Sequence, residues 1–247
     1  MVVFSFDHFS IICYHIVMKL VGRLSKVDYI IWAISVVVVT ITHFLSPDKS
    51  ILNFVASLIG VSSLILIARG YPLGMLICMI FGCVYAVTSY QSGYYGEMIT
   101  YAGMTAPVSL VSFIIWCKNP YKDSAEVKIS QLTKMKFLVL SLVTIAVTIA
   151  FYFILKALNT TNLIVSTISI ATSFMAVALT ILCSPYYAIA YGLNDVVLIT
   201  LWLIESFRDS SYLTIVACFV VFLLNDVYGF ICWAKRAKLQ KSNTKKE

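Results

Sequence analysis

YYAIAYGLNDVVLITLWLIE, residues 186–205, is apolar and long enough to cross a bilayer, whose hydrocarbon core takes about 20 residues of helix, yet it carries Asn194 and Asp195 near its middle. A carboxylate at membrane depth costs about 2.5–3.5 kcal/mol on insertion scales, so it is tolerated where it faces a protein interior or a watery cavity and finds partners there. Tyr187, Tyr191, Asn194, Asp195, Leu198 and Trp202 recur at helical spacing and share one face. A lone Asn in a span reads equally well as glue between helices. Asn plus Asp framed by three aromatic residues reads as a binding site.

Working outward, the whole chain has the same character. Of its 247 residues, 61% are hydrophobic and 12% charged, with a mean hydropathy of +0.94. This fits an all-α integral membrane protein and excludes an ordinary soluble domain. The seven cysteines are scattered through apolar runs without a C-x-x-C pair, and the three histidines are not grouped. No metal or cofactor site is expected, and the cysteines read as small packing residues. The net charge of +7 belongs to basic residues flanking apolar spans, so nucleic acid is not an expected partner and the lipid bilayer is.

Residues 1–28 lack a basic start and place Lys19, Arg23 and Lys26 after their apolar part, the reverse of a cleaved signal peptide. They are expected to form an N-terminal cytoplasmic or interfacial segment. Eight spans are expected, at 29–46, 51–69, 72–90, 94–117, 136–157, 163–183, 186–205 and 210–234. With both termini cytoplasmic, fifteen basic residues lie inside and only Lys49, Lys156 and Arg208 outside. That asymmetry is the positive-inside pattern, and Trp116 and Trp233 beside Lys118 and Lys235 read as interfacial anchors.

The chain also repeats itself. An ungapped shift of 117 residues lays Tyr95, Phe113, Ile114, Trp116 and Lys118 on Tyr212, Phe230, Ile231, Trp233 and Lys235. On this reading 29–46 is an extra helix, 51–117 a first three-helix repeat, 118–135 a cytoplasmic loop, 136–157 a linker helix, 163–234 a second repeat and 235–247 a basic tail. A single linker helix turns the second unit the same way up as the first, giving parallel repeats with a site near the midplane between them. Asn225 and Asp226 in the last span restate the Asn-Asp pair, and Tyr85 and Asn53 are the first repeat's candidates for the same lining. Pro72 and Pro107 are positioned to break or kink their spans, and Gly74, Gly82, Gly96 and Gly103 to allow close helix approach. There is no Walker lysine, phosphate-cradling glycine loop or serine-histidine arrangement, so no enzyme is expected.

The stretches GYPLGMLICMIFGCVYAVTSYQSGYYGEM and YLTIVACFVVFLLNDVYGFICWAK, the second with Asn225, Tyr228, Gly229, Trp233 and Lys235 in an N-x-x-Y-G-x-x-x-W-x-K arrangement, resemble the PnuC family of bacterial nicotinamide riboside transporters. The resemblance runs from about residue 50 to 236. It implies a SWEET-like fold in the cytoplasmic membrane. It also implies uptake of an unphosphorylated nucleoside-like vitamin by facilitated diffusion, with a cytoplasmic kinase coupled only metabolically. At the family's W-x-x-W-x-x-x-N/D motif this chain has Ala188, Tyr191 and Asp195. Thiamine, riboflavin and deoxynucleosides therefore stay open as substrates. A non-transporting sensor or partner subunit is the rival reading, and assembly with further copies of the chain is left open.

Overall fold

Lipid offers no hydrogen bonds, so a chain this apolar must satisfy its backbone within each segment, and helices do so. The computed structural model describes residues 22–45, 51–91, 95–122, 124–160, 162–208 and 213–244, without the side chains at 53, 89, 91, 95–97, 214 and 244. Residues 1–21 of the expected N-terminal segment, and the side chain of Asn53, lie outside the described set.

The helices are α1 (Lys26–Leu45), α2 (Ile51–Ala68), α3 (Pro72–Gln91), α4 (Tyr95–Thr100), a π-helical turn (Tyr101–Thr105), α5 (Ala106–Lys118), α6 (Lys134–Ala157), α7 (Leu163–Ile181), α8 (Tyr187–Ser206) and α9 (Leu213–Thr244). Among the described residues six helices are long and apolar enough to cross a membrane, while α2 and α3 hold shorter apolar stretches. The protein is a multi-pass membrane protein.

Local chemistry sets several boundaries. Ser25 and Asp28 close a reciprocal box at the start of α1: Ser25 N–H donates to Asp28 Oδ2 (2.6 Å) and Asp28 N–H to Ser25 Oγ (3.3 Å). Thr133 Oγ1 accepts from Lys136 N–H (3.3 Å) and caps α6. Pro107 cannot donate to the carbonyl four residues back. The turn before it widens, and Ala106 N–H bonds Tyr101 O instead. The expected break at this proline is thus a π-helical turn inside an otherwise continuous helix. The largest departure is α9, which continues through the expected basic tail to Thr244. At about 1.5 Å per residue its 32 residues exceed the hydrocarbon thickness, so its last turns reach past the membrane and meet the loop between α5 and α6.

Six helices close a ring in which α2, α3, α5, α7, α8 and α9 each pack on the next and α9 returns to α2. Outside the ring, α1 packs on α2 and α9, and α6 on α7. The α2–α3 and α7–α8 turns have the same construction. Gly70 N–H donates to Ile67 O and Tyr71 N–H to Leu66 O; Cys183 N–H donates to Thr180 O and Ser184 N–H to Leu179 O. Gly70 (φ 67°) and Cys183 (φ 51°) are both left-handed, the helix stop that glycine adopts freely and cysteine does not. Each pair is separated by 113 residues rather than 117, so the ungapped shift does not extend to the hairpins. The two turns thus correspond at an offset four residues shorter than that of the Trp116 and Trp233 stretches.

Trp116 and Trp233 are not interfacial anchors. Both are fully buried, with ring centroids 5.3 Å apart. Trp116 Nε1 donates to Thr180 O (3.4 Å) and Trp233 Nε1 to Ile67 O (3.0 Å). Each tryptophan therefore reaches the last turn of another helix, Trp116 that of α7 and Trp233 that of α2.

Candidate functional site

The ring surrounds a cavity of about 80 Å³. Gly60, Ser63, Leu64 and Ile67 of α2 line it, with Met75, Cys78 and Phe81 of α3 and Thr100, Tyr101 and Thr105 at the π-helical turn. From the other side come Ser169, Ser173, Val177 and Thr180 of α7, Tyr187, Tyr191, Asn194, Asp195 and Leu198 of α8, and Phe219, Phe222 and Asp226 of α9. No Lys, Arg or His is among these lining residues.

The α8 face is held by the small polar side chains of α7. Asn194 Oδ1 accepts from Thr172 Oγ1 (2.8 Å), Ser173 Oγ (2.8 Å) and Ser169 Oγ (3.4 Å). Its amide is thereby fixed with the carbonyl turned toward α7. Asp195, one residue on, is 4% exposed and faces Asp226 of α9, which is 6% exposed. Asp195 Oδ2 is buried and carries no hydrogen bond among the described residues. Two buried carboxyl groups with no Lys, Arg or His among the described lining residues favour a positively charged or hydroxyl-bearing occupant, which would supply a charge or donor.

Aromatic surfaces complete the site. Phe81 packs edge-on against Tyr101 (5.7 Å) and Phe222 (6.0 Å). Tyr187 stands edge-on to Tyr191 (6.2 Å) and to Trp233 (4.8 Å), with its hydroxyl donating to Ile67 O (3.5 Å). Ala188, at one family tryptophan position, is buried in the helix-packing core and does not line the cavity, whereas Tyr191 does.

Of the sequence candidates, Tyr187, Tyr191, Asn194, Asp195 and Asp226 converge on this space. Trp202 does not line it; it packs with Leu198, Leu201 and Phe219. Asn225 turns the other way, its Nδ2 donating to Ser35 Oγ of α1 (3.0 Å) and to Val221 O (2.8 Å). Tyr85 sits behind the wall, against Phe81 and Tyr101. The sequence reading missed Ser169, Ser173 and Thr180, although their i, i+4, i+11 spacing marks a polar stripe on one helical face. It also missed Tyr101, because nothing in a hydropathy pattern announces a π-helical turn.

Comparisons with known proteins agree with this architecture. The chain is 25% identical over 213 residues to a Neisseria mucosa protein named nicotinamide riboside transporter PnuC, covering 84% of this chain and 81% of that one. Its fold is similar to a crystal structure titled the vitamin B3 transporter PnuC, with a TM-score of 0.79, 23% identity, and coverage of 96% of this chain and 99% of that one. A family model described as nicotinamide mononucleotide transporter matches residues 50–235, most of the chain and all six ring helices but for the last turns of α9, and the chain therefore belongs to the nicotinamide mononucleotide transporter family.

Proposed function

We propose that this protein carries nicotinamide riboside, or a closely related unphosphorylated nucleoside-like vitamin, across the cytoplasmic membrane of a bacterium by facilitated diffusion. The observation that carries this reading is a cavity with two carboxyl groups, several aromatic rings, several hydroxyls and no basic lining residue. Nicotinamide riboside joins a flat cationic pyridinium to a polyhydroxylated sugar. Aromatic faces and carboxylates attract such a ring, while Asp195 and Asp226 accept from sugar hydroxyls. A mononucleotide would bring a phosphate into the cavity beside two acidic side chains with no Lys or Arg to receive it. The unphosphorylated form is therefore the better fit, and cytoplasmic phosphorylation would draw uptake inward.

The two matching turns and the reciprocal tryptophan bonds support parallel repeats about an axis along the membrane normal. Such an arrangement places the cavity between two units able to rock. The positive-inside asymmetry supports cytoplasmic termini. Thiamine, whose thiazolium is also a flat cation, is the second candidate on the same observation.

Uptake of labelled solute into proteoliposomes tests the proposal. Saturable entry of nicotinamide riboside, competed by thiamine more than by a neutral deoxynucleoside and little by the mononucleotide, is expected. Absence of entry for every solute would favour a non-transporting sensor or subunit.

A further inference from the structure

Below the cavity the path is closed by three layers. Tyr187, whose ring lines the cavity, stands edge-on to Trp233 at 4.8 Å. Trp233 leans on Trp116, and both share a buried apolar cluster with Val127 of the α5–α6 loop. Val127 is 2% exposed, although it belongs to a loop beyond the helix ends.

That loop is fastened to both turns at once. Val127 N–H donates to Gly70 O (3.0 Å), and Ser130 N–H donates to Cys183 O (3.0 Å). Gly70 and Cys183 are the corresponding left-handed residues of the two hairpins, so a short piece of the loop bridges matching points of the two hairpins. The long α9 clasps it from the side. Gln240 Oε1 accepts from Ile129 N–H (2.8 Å), and Gln240 Nε2 donates to Val127 O (3.2 Å). Arg236 pairs with Glu126 (3.1 Å) while its Nη1 donates to Ala68 O at the end of α2 (3.2 Å). An exposed connection of ordinary length needs none of these bonds. Here they seat an apolar side chain under the tryptophan pair, on the line between the two units.

We propose that the α5–α6 loop, with Val127 as its plug and Gln240 and Arg236 as its latch, is the inner gate of the transport path. The gate rests on the transporter reading. A solute leaving toward this end must pass between the two turns, and it can do so only when the loop releases one of them. Because the loop is tied to both, rocking of one unit against the other breaks one of the hydrogen bonds accepted by Gly70 O and Cys183 O while the other persists. Gln240 and Arg236 then set how readily that happens without touching the solute, which makes them positioning residues.

The test is to join loop and latch covalently. Ile129→Cys/Gln240→Cys is linked by a short, reducible bifunctional thiol reagent, with the parent protein treated in parallel as the baseline for its native cysteines. Nicotinamide riboside is the probe, measured both for binding in detergent and for proteoliposome uptake. Linking is expected to lower uptake about tenfold, reversibly on reduction, with the binding constant within about twofold, as for a gating step separate from binding. Linked protein that transports at the rate of the unlinked double variant overturns the gate. Failure of the untreated parent to transport overturns the functional reading instead. If the double variant loses binding before it is linked, Gln240→Ala decides: an uptake rate changed by about threefold or more with unchanged affinity supports the latch, and an unchanged rate overturns it.

Discussion

Asp195 and Asn194 are adjacent in the chain and have different tasks. Asn194 is consumed by three hydroxyls of α7 and holds the helix pair together. The Asp195 carboxyl group pairs with that of Asp226, and its Oδ2 has no hydrogen-bond partner among the described residues. Asp195→Asn is therefore expected to weaken binding of nicotinamide riboside by about 1.5–3 kcal/mol, or one to two decades in the binding constant. Titration of the purified variant against the parent measures it, and equal affinity removes Asp195 from the site. Trp202→Phe, which alters a side chain packed away from the cavity, is the matching control and should leave affinity unchanged. Trp116 cannot serve as that control. Its indole bonds Thr180 O across the two units, so Trp116→Phe is expected to cost about 1 kcal/mol of stability.

Among the helices, the approach of α2 and α3 depends on a missing side chain. A Cβ on Gly74 would lie 2.6 Å from the Ile67 backbone nitrogen, where no rotamer change relieves it. Gly74→Ala is expected to lower stability by about 1–3 kcal/mol through forced separation of the hairpin. At Gly103 a Cβ would meet nothing within 4 Å, so Gly103→Ala should be neutral in the same thermal melt. The shared expectation that both glycines permit close packing holds for the first and not for the second. In the first turn of α1, Asp28 is fully buried. It accepts from Arg69 Nε (2.7 Å to Oδ2), Tyr228 Oη (2.5 Å to Oδ1) and Ser25, tying α1 to α2 and α9. Asp28→Ala leaves the Arg69 guanidinium without its counter-charge, and a loss of about 3 kcal/mol is expected, read as a lower melting temperature in detergent.

For the molecule as a whole, the helix order puts both hairpin turns, the α5–α6 loop and the last turns of α9 at one end, where the contacts of Trp233, Arg236 and Gln240 join them. In the orientation proposed from the positive-inside pattern, that end is the cytoplasmic one. An impermeant thiol reagent added to intact cells is expected to miss Lys241→Cys and to label Leu158→Cys, at the opposite end and 46% exposed. Labelling of Lys241→Cys from outside would invert the assignment.

The amino-acid sequence by itself determined the all-helical membrane class, the places where apolar runs begin and end, the basic asymmetry, and the polar pair at 194–195. These follow from the free energy of placing each residue in lipid or water, which is local. It also narrowed the site to the face of α8, because a helical period fixes which residues share a side. Only the tertiary structure decided what each face meets. Asn225 and Asp226 stand about 100° apart around α9, so one turns to Ser35 of α1 and the other to the cavity. Trp116 and Trp233 carry the flanking lysines of interfacial anchors but lie buried against each other on the line between the two units. The same side chain has the same hydropathy in either place, and the neighbour that chooses between them comes from the other half of the chain.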